Sequence, residues 1–322
     1  VQYWCSLGLI VAVGLAWCFP TGGRRVGPID SGLLLHVGVV FVFFTQGLSL
    51  PLQDLLRGAK NVRLHVLIQG FTFIVIPLLG IGIEALLGRY LPSELRLGLL
   101  YLAVLPSTIK TAVVFSSLAG GDTAAALFNA TLSSLLGVIA TPLWMGYLAR
   151  GAGVSVDFSS VLAEVVGQLV LPLLVGALIR PFLARFVERH KARLSYASSL
   201  VILFIVYRAF AQSFLEGTWE KHDLGTGLSA FGIALGFFLL ATWLTHLASG
   251  WLALPRPDRI TALFSAPQKT LASGAPMAEV IFAGRADIGL ILLPLLFYHP
   301  LQLLLGSVLV SLAARQGREP VA

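Results

Sequence analysis

Residues 266–272 read APQKTLA, and residues 106–112 read PSTIKTA. Both stretches lie inside long apolar runs and place Lys-Thr shortly after a proline. A proline within a helix removes one backbone donor and clashes with the preceding turn, so each stretch predicts a broken helix. Broken backbone is tolerated at membrane depth only where it is buried in protein or lines a cavity. We therefore expect Lys110 and Lys269 to mark matching breaks in two membrane helices.

The composition of the whole chain indicates a membrane protein. Of 322 residues, 57% are apolar and 11% are charged, whereas about a quarter of the residues in a soluble domain are charged. These proportions exclude a cytosolic enzyme, a secreted disulfide scaffold and a disordered regulator. Basic residues lie mostly in short loops, which does not indicate nucleic-acid binding. Cys5 and Cys18 share the first apolar run, so we expect neither a disulfide framework nor a metal site.

Apolar runs of the right length define the predicted membrane crossings. A helix of about 20 residues crosses a hydrocarbon core of about 30 Å. The chain has ten such runs, which predicts an all-α integral membrane protein. They cover roughly residues 2–19, 30–50, 63–88, 95–119, 122–149, 158–182, 194–215, 224–254, 259–283 and 287–313.

Loop charge predicts the orientation. Lys and Arg are more frequent in segments on the N-terminal side of the membrane, such as 180–193, than in the opposite loops. Because cytoplasmic loops favour these residues, we expect both termini in the cytoplasm. The expected location is the plasma membrane, which for a bacterial protein is the inner membrane.

The ten spans divide into two related halves, residues 1–150 and 151–322. Each half has an odd number of spans, so the second half enters the membrane in the opposite direction. The Lys-Thr stretches fall in the fourth span of each half, and the following spans share LLG at 135–137 and 304–306. Inverted five-helix repeats with interrupted helices at matching positions are typical of secondary transporters. We therefore expect helices 4 and 9 to be broken and to cross.

Several stretches carry a family resemblance. They are FTQGLSL at 44–50, IQGFTF at 68–73, KTLASGAPM at 269–277 and YHPLQ at 298–302. With these stretches the chain resembles the bile acid:sodium symporter family, in particular its cotransporter-7-like branch. The resemblance implies a panel domain of helices 1, 2, 6 and 7 and a core domain of helices 3–5 and 8–10. It also implies movement of organic anions with sodium through a crevice between the two domains.

The resemblance also suggests ion ligands. Gln69 matches a glutamine that the family carries on span 3, while Thr111 and Asn129 fall where spans 4 and 5 supply oxygen ligands. Ser265 falls near a family glutamate on span 9, and Lys269 falls near a family glutamine. Sodium prefers oxygen ligands and an ammonium group offers none. The resemblance thus makes Na⁺ a possible coupling ion. Lys110 and Lys269 argue against it, because they bring ammonium groups to the site.

The broken segments and their neighbours supply the candidate site. His299 is either a carrier of a coupling proton or a histidine hydrogen-bonded between packed helices. Arg208 lies near the end of span 7, where we expect its side chain to reach the interface. The residues expected to bind substrate are Lys110, Thr111, Asn129, Gln268, Lys269, Thr270 and His299, and those expected to bind an ion are Gln69, Thr111, Asn129 and Ser265.

The sequence is compatible with two functions. The first is a symporter-like secondary transporter that moves a small organic anion by alternating access, because two lysines and half-helix N-termini favour negative charge. The alternative is a membrane regulator or scaffold of ion homeostasis that keeps the fold and moves nothing. The sequence has no Gly-Lys-Ser phosphate loop and no catalytic side-chain set, so we expect neither an ATP-driven pump nor an enzyme.

The expected partners follow from these functions. They are a small organic anion and the lipid bilayer, with no nucleic acid and no cofactor. The protein is expected to be either a monomer or a homodimer.

Overall fold

The computed structural model describes residues 2–26, 29–50, 59–151 and 158–316, and most of these residues are helical. The α-helices are α1 (Gln2–Cys18), α2 (Ser31–Leu48), α3 (Val62–Gly70), α4 (Ile76–Leu87), α5 (Ser93–Val104), α6 (Ile109–Ala119), α7 (Thr123–Gly151), α8 (Phe158–Val165), α9 (Leu171–Leu215), α10 (Leu224–Trp251), α11 (Arg256–Ser265), α12 (Leu271–Ile281) and α13 (Ile288–Gln316).

Short elements join some of these helices. One π-helical turn, Phe71–Val75, links α3 to α4, and another, Val166–Val170, links α8 to α9. Two short strands, β1 (Arg25–Val26) and β2 (Ile29–Asp30), pair antiparallel before α2. Short 3₁₀ helices cover Pro20–Gly23, Gly88–Tyr90 and Thr218–Lys221.

The helices have the length and surface of a multi-pass membrane protein. Among the described residues, 6 helices are long and apolar enough to cross a membrane, or 7 if one bent pair counts as a single span. Large apolar side chains cover the outside: Phe182 is 87% exposed and Trp251 is 83% exposed. Such a surface is unfavourable in water and is satisfied by lipid tails. An integral membrane protein is therefore confirmed.

One pair of predicted spans is joined. The sequence predicts separate spans at 158–182 and 194–215, but helical hydrogen bonding continues from residue 158 to residue 215. The segment between the two spans contains good helix formers and no glycine, so nothing in it ends the helix. Pro181 lies inside α9 and is accommodated there.

The joined helix nevertheless folds back beside α2. Leu173 packs against Gly47, whereas Ser198 Oγ lies 2.9 Å from Oγ1 of Thr45, two residues away. In a straight helix, Leu173 and Ser198 would be more than about 30 Å apart. The helix therefore bends sharply between them. Its second arm runs antiparallel to α2 and reaches Ser31 through Arg208.

Both Lys-Thr stretches break their helices, as predicted. The axes of α5 and α6 differ by 59° at a break over residues 105–108. Residues 266–270 separate α11 from α12. The breaks contact each other: Ser107 Oγ donates to the Ser265 carbonyl oxygen at 2.6 Å, and the Thr270 N–H donates to the Pro106 carbonyl oxygen at 3.1 Å.

The packing of α2 against α9 allows a stability test. The two helices approach so closely at Gly47 and Gly176 that a Cβ on either glycine would overlap backbone atoms of the other helix. We expect Gly176→Ala to lower the free energy of unfolding by about 2 kcal/mol, because the added methyl group collides with the Phe44 carbonyl oxygen. Unfolding of the purified protein in mixed micelles measures this loss.

The matched control for that variant is Gly236→Ala in α10. A Cβ at Gly236 meets no atom within 4 Å, so the control should keep its stability. Equal losses in both variants would contradict the close approach of α2 and α9.

Candidate functional site

The first break leaves carbonyl groups at the end of α5 that need hydrogen-bond donors. Lys269 supplies two of them, since its Nζ donates to the carbonyl oxygens of Ala103 at 2.8 Å and Leu105 at 2.6 Å. Thr141 Oγ1 donates to the Val104 carbonyl oxygen at 2.8 Å. A helix ends in negative partial charge, so an ammonium group there is stabilising. Lys269, which is 0% exposed, thus closes the carbonyl end of α5.

The second break is closed by side chains of α13. Tyr298 OH donates to the Pro267 carbonyl oxygen at 2.5 Å. Gln302 holds the backbone of Lys269 on both sides: its Nε2 donates to the carbonyl oxygen and its Oε1 accepts from the N–H, both at 2.9 Å. These carbonyl groups therefore have protein donors in place of water, as membrane depth requires.

The two lysines that the sequence pairs have different surroundings. The ammonium group of Lys269 is buried against carbonyl oxygens, whereas Lys110 is exposed and its Nζ donates to Ser195 Oγ at 2.5 Å. Ser195 belongs to α9, so Lys110 links a broken helix to the helix that packs on α2. Of the two charges, the one on Lys110 is the more accessible to a solute.

The second half of each broken helix begins with backbone amides at the break. Thr108 precedes α6 and Thr270 precedes α12, and neither threonine side chain caps its helix. In the described part of the chain, three nearby oxygens are buried without a hydrogen-bond partner: Ser265 Oγ, Gln268 Oε1 and Ser273 Oγ. Uncapped helix starts favour anions, and unpaired buried oxygens accept donors or cations. The breaks therefore present both hydrogen-bond donors and acceptors.

Gln69 and Asn129, two predicted ion ligands, lie together. Gln69 Nε2 donates to the backbone carbonyl oxygen of Asn129 at 2.9 Å and to its Oδ1 at 3.2 Å. Asn129 Nδ2 donates to the Ala125 carbonyl oxygen and lies 2.9 Å from His65 Nδ1. Sequence reasoning missed His65, although its position four residues before Gln69 places both on one helix face.

Other predicted residues belong to separate surroundings. His299 Nδ1 lies 3.2 Å from Gln302 Nε2, so His299 joins the network that holds Lys269. Thr111 is buried on α6, directly after Lys110. The structure thus groups His299 with Lys269 and Gln69 with Asn129. Binding of a substrate or an ion by any of these residues stays a prediction.

An ion pair that the sequence did not suggest lies away from the breaks. Arg208 on α9 donates from Nη1 to Glu279 Oε2 on α12 at 3.1 Å, so its side chain does not reach for the interface as expected. The pair lines a cavity of about 160 Å³ that Glu164 and Gln168 also line. Arg208 and Glu279 are 71 positions apart, and no local sequence signal joins them.

Residues 3–315 match the sequence profile of the SBF-like CPA transporter family. The chain belongs to that family. Putative symporter YfeH of Escherichia coli is 33% identical over 313 residues, covering 97% of this chain and 92% of YfeH. Sodium/bile acid cotransporter 7 of Danio rerio is also 33% identical over 313 residues, covering 95% of this chain and 92% of the relative. A Pseudomonas aeruginosa protein of undescribed function is 34% identical over 320 residues, covering 98% and 94%.

Membership in the SBF-like CPA transporter family confirms the resemblance to the bile acid:sodium symporters and their cotransporter-7 branch. Together with the apolar helices, it establishes a multi-pass membrane protein of a transporter family. Among the described residues there is no group of three or more His, Cys, Asp or Glu side chains placed to hold a metal ion.

The different surroundings of the two lysines predict different stabilities for their variants. We expect Lys269→Met to lower the free energy of unfolding by about 3 kcal/mol, because the carbonyl oxygens of Ala103 and Leu105 lose their buried donor. Lys110→Met should change stability far less, because Lys110 is exposed. Unfolding in mixed micelles compares the two variants, and a larger loss for Lys110→Met would refute the role given to Lys269.

Proposed function

We propose that this protein is a secondary active transporter that moves a small organic anion across the bacterial inner membrane by alternating access. The relatives named as a symporter and a cotransporter support transport. The observation that carries the proposal is the pair of broken helices. Their breaks contact each other, and the second half of each helix starts at its break without a side-chain cap. A scaffold has no use for such backbone, whereas a solute site at membrane depth is built from it.

The proposed architecture has ten crossings in two inverted repeats, residues 1–150 and 151–322, with both termini in the cytoplasm. The sharp bend within α9 supports it, since the two arms can then serve as crossings 6 and 7. Helices α1 and α2 both pack along α9, which fits a panel of crossings 1, 2, 6 and 7. The broken helices pack with α7 and α13, which fits a core of crossings 3–5 and 8–10.

The charge of the proposed substrate follows from the helix starts and from Lys110. Helix N-termini carry positive partial charge, and the exposed ammonium group of Lys110 adds a full charge beside one of them. A cation would be repelled by both, and repulsion is strong where the dielectric is low. Gln268, Thr270 and Thr111, with Asn129 and His299, are proposed to supply hydrogen bonds to the uncharged part of the substrate.

The proposed transporter does not depend on sodium. The ammonium group of Lys269 already donates to the carbonyl oxygens of Ala103 and Leu105, so one positive charge is proposed to lie where the two helix breaks meet. A sodium ion bound next to it would be repelled. The oxygens of Gln69, Asn129 and Ser265 remain the best ligands should an ion bind.

Sodium independence can be tested without knowing the substrate. A site with a dissociation constant of 1 mM would stabilise the protein by about 2.7 kcal/mol in 100 mM sodium. We expect the unfolding temperature of the purified protein to be the same in sodium, potassium and choline chloride. A saturable stabilisation by sodium alone would refute the proposal.

Transport itself is tested by uptake into proteoliposomes, with sodium and proton gradients set independently. We expect labelled organic anions, and not organic cations, to be taken up by the wild type. Lys110→Met should reduce uptake at least tenfold. Lys191→Met is the matched control, because Lys191 is also an exposed lysine but pairs with Glu188 on α9. Uptake of a cation, or equal uptake by both variants, would contradict an anion site at Lys110.

A further inference from the structure

Two cavities near the start of α2 share Arg208 as a lining residue. The inner cavity, of about 160 Å³, lies between the α9 and α12 regions and includes Glu279. The outer cavity, of about 450 Å³, is lined by Asp30 and Glu216 among others. Arg208 and Gln212 line both cavities. A solute passing from the outer cavity to the inner one therefore meets the guanidinium group of Arg208.

The ion pair of Arg208 and Glu279 is incomplete on the side of the carboxylate. Arg208 Nη1 donates to Glu279 Oε2 at 3.1 Å, and Arg208 Nε donates to Ser31 Oγ at 3.3 Å. The Glu279 side chain is 5% exposed, and its Oε1 is buried with no hydrogen-bond partner in the described part of the chain. The charge of Glu279 is thus held by one partner, Arg208.

The other charged groups around the inner cavity do not replace Arg208. Arg285 donates to both carboxylate oxygens of Asp287, at 2.9 and 2.5 Å, and this hydrogen bonding raises the pKa of Arg285. Glu164 is a second acid, and His36 Nδ1 lies 2.7 Å from the Gly32 carbonyl oxygen. Among the described residues, Arg285 is the other arginine that lines the inner cavity, and it is already paired with Asp287. If Glu279 loses Arg208, this lining therefore offers it no second cation.

We propose that Arg208 forms a second anion site, away from the breaks, at which it binds the carboxylate or sulfonate group of the transported solute in exchange for Glu279, and that the displaced Glu279 takes up one proton. This inference rests on the proposed function and names its coupling ion. The guanidinium fork suits a planar, bidentate acid group. A buried carboxylate that has lost its counter-ion is strongly disfavoured and neutralises itself by protonation.

The exchange balances charge and protons. The solute anion replaces one carboxylate on Arg208, and Glu279 accepts a proton from hydronium, which leaves water. One negative and one positive charge therefore enter the cavity together. The same linkage lets a proton gradient drive anion accumulation without sodium.

Binding of benzoate to the purified protein tests this exchange, since benzoate remains ionised between pH 6 and pH 8. Linkage to one proton predicts that the dissociation constant of the wild type falls as the pH decreases, by at most about tenfold for each pH unit. Glu279→Gln should bind benzoate with the same affinity at both pH values, and more tightly than the wild type at pH 8. Arg208→Gln should lose the pH-dependent part of benzoate binding, and Arg208→Lys should weaken it.

Three control variants separate this pair from other groups. Glu84→Gln removes a carboxylate that pairs with Arg96 outside both cavities, and it should keep the pH dependence of the wild type. His36→Gln and Glu164→Gln should keep it as well. Loss of the pH dependence in any of the three, or its persistence in Glu279→Gln, overturns the exchange.

Failure of this inference is distinguishable from failure of transport. If Glu279→Gln binds neither benzoate nor acetate nor methanesulfonate at about 100 mM, the anion site at Arg208 is wrong, whatever the uptake assays show. If Glu279→Gln binds them without pH dependence while the wild type takes up no anion into proteoliposomes, the exchange stands and the transport proposal fails.

Discussion

The hydrogen bonds from the Lys269 ammonium group to the carbonyl oxygens of Ala103 and Leu105 are the interaction on which the contact between the two helix breaks depends. A break in a membrane helix exposes carbonyl groups where no water is available to bind them. Lys269 comes from the other broken helix, so each break supplies what the other lacks. The Pro106 carbonyl oxygen and the Thr270 N–H add a backbone link in the same place.

The carbonyl ends and the amide ends of the half-helices differ in their hydrogen-bond partners. The carbonyl ends are closed by Lys269, Thr141, Tyr298 and Gln302, and a solute adds nothing to them. The amide ends of α6 and α12 have no side-chain cap, so these ends remain available for a ligand. Closed negative ends and uncapped positive ends favour negative charge through the backbone itself, which supports the proposed anion specificity.

The sequence predicted the breaks well because their causes are local. A proline inside an apolar run, followed by Lys-Thr, is sufficient to locate both interruptions, and the structure has them at residues 105–108 and 266–270. The different environments of Lys110 and Lys269 were not predictable, since burial depends on which way a half-helix faces its neighbours. The sequence did not predict the continuous helix through residues 183–193, because a basic segment is compatible with either a loop or an interfacial helix.

The pair of Arg208 and Glu279 shows a second limit of sequence reasoning. Arg208 alone fits a residue that extends to the membrane interface, and Glu279 alone fits a polar residue at a helix end. The ion pair is recognised only when the fold brings the two side chains to 3.1 Å in the lining of one cavity. His65 is similar, because its contact with Asn129 requires α3 and α7 to pack together.

Lys269 is buried and Arg208 is half-buried, and the proposed transport cycle gives the two side chains different roles. Lys269 donates to backbone carbonyl oxygens of the other broken helix, so in the proposed cycle its ammonium group keeps its position wherever the two breaks stay in contact. A fixed charge can select a substrate but cannot link its movement to a gradient, because linkage requires a group whose proton or ion occupancy changes. Arg208 and Glu279 lie on different helices, α9 and α12, and both line the cavity, so their contact is the exchangeable one in the proposed cycle. Energy coupling in this protein is thus expected at the exchangeable pair, while the fixed lysine maintains the structure that the exchange requires.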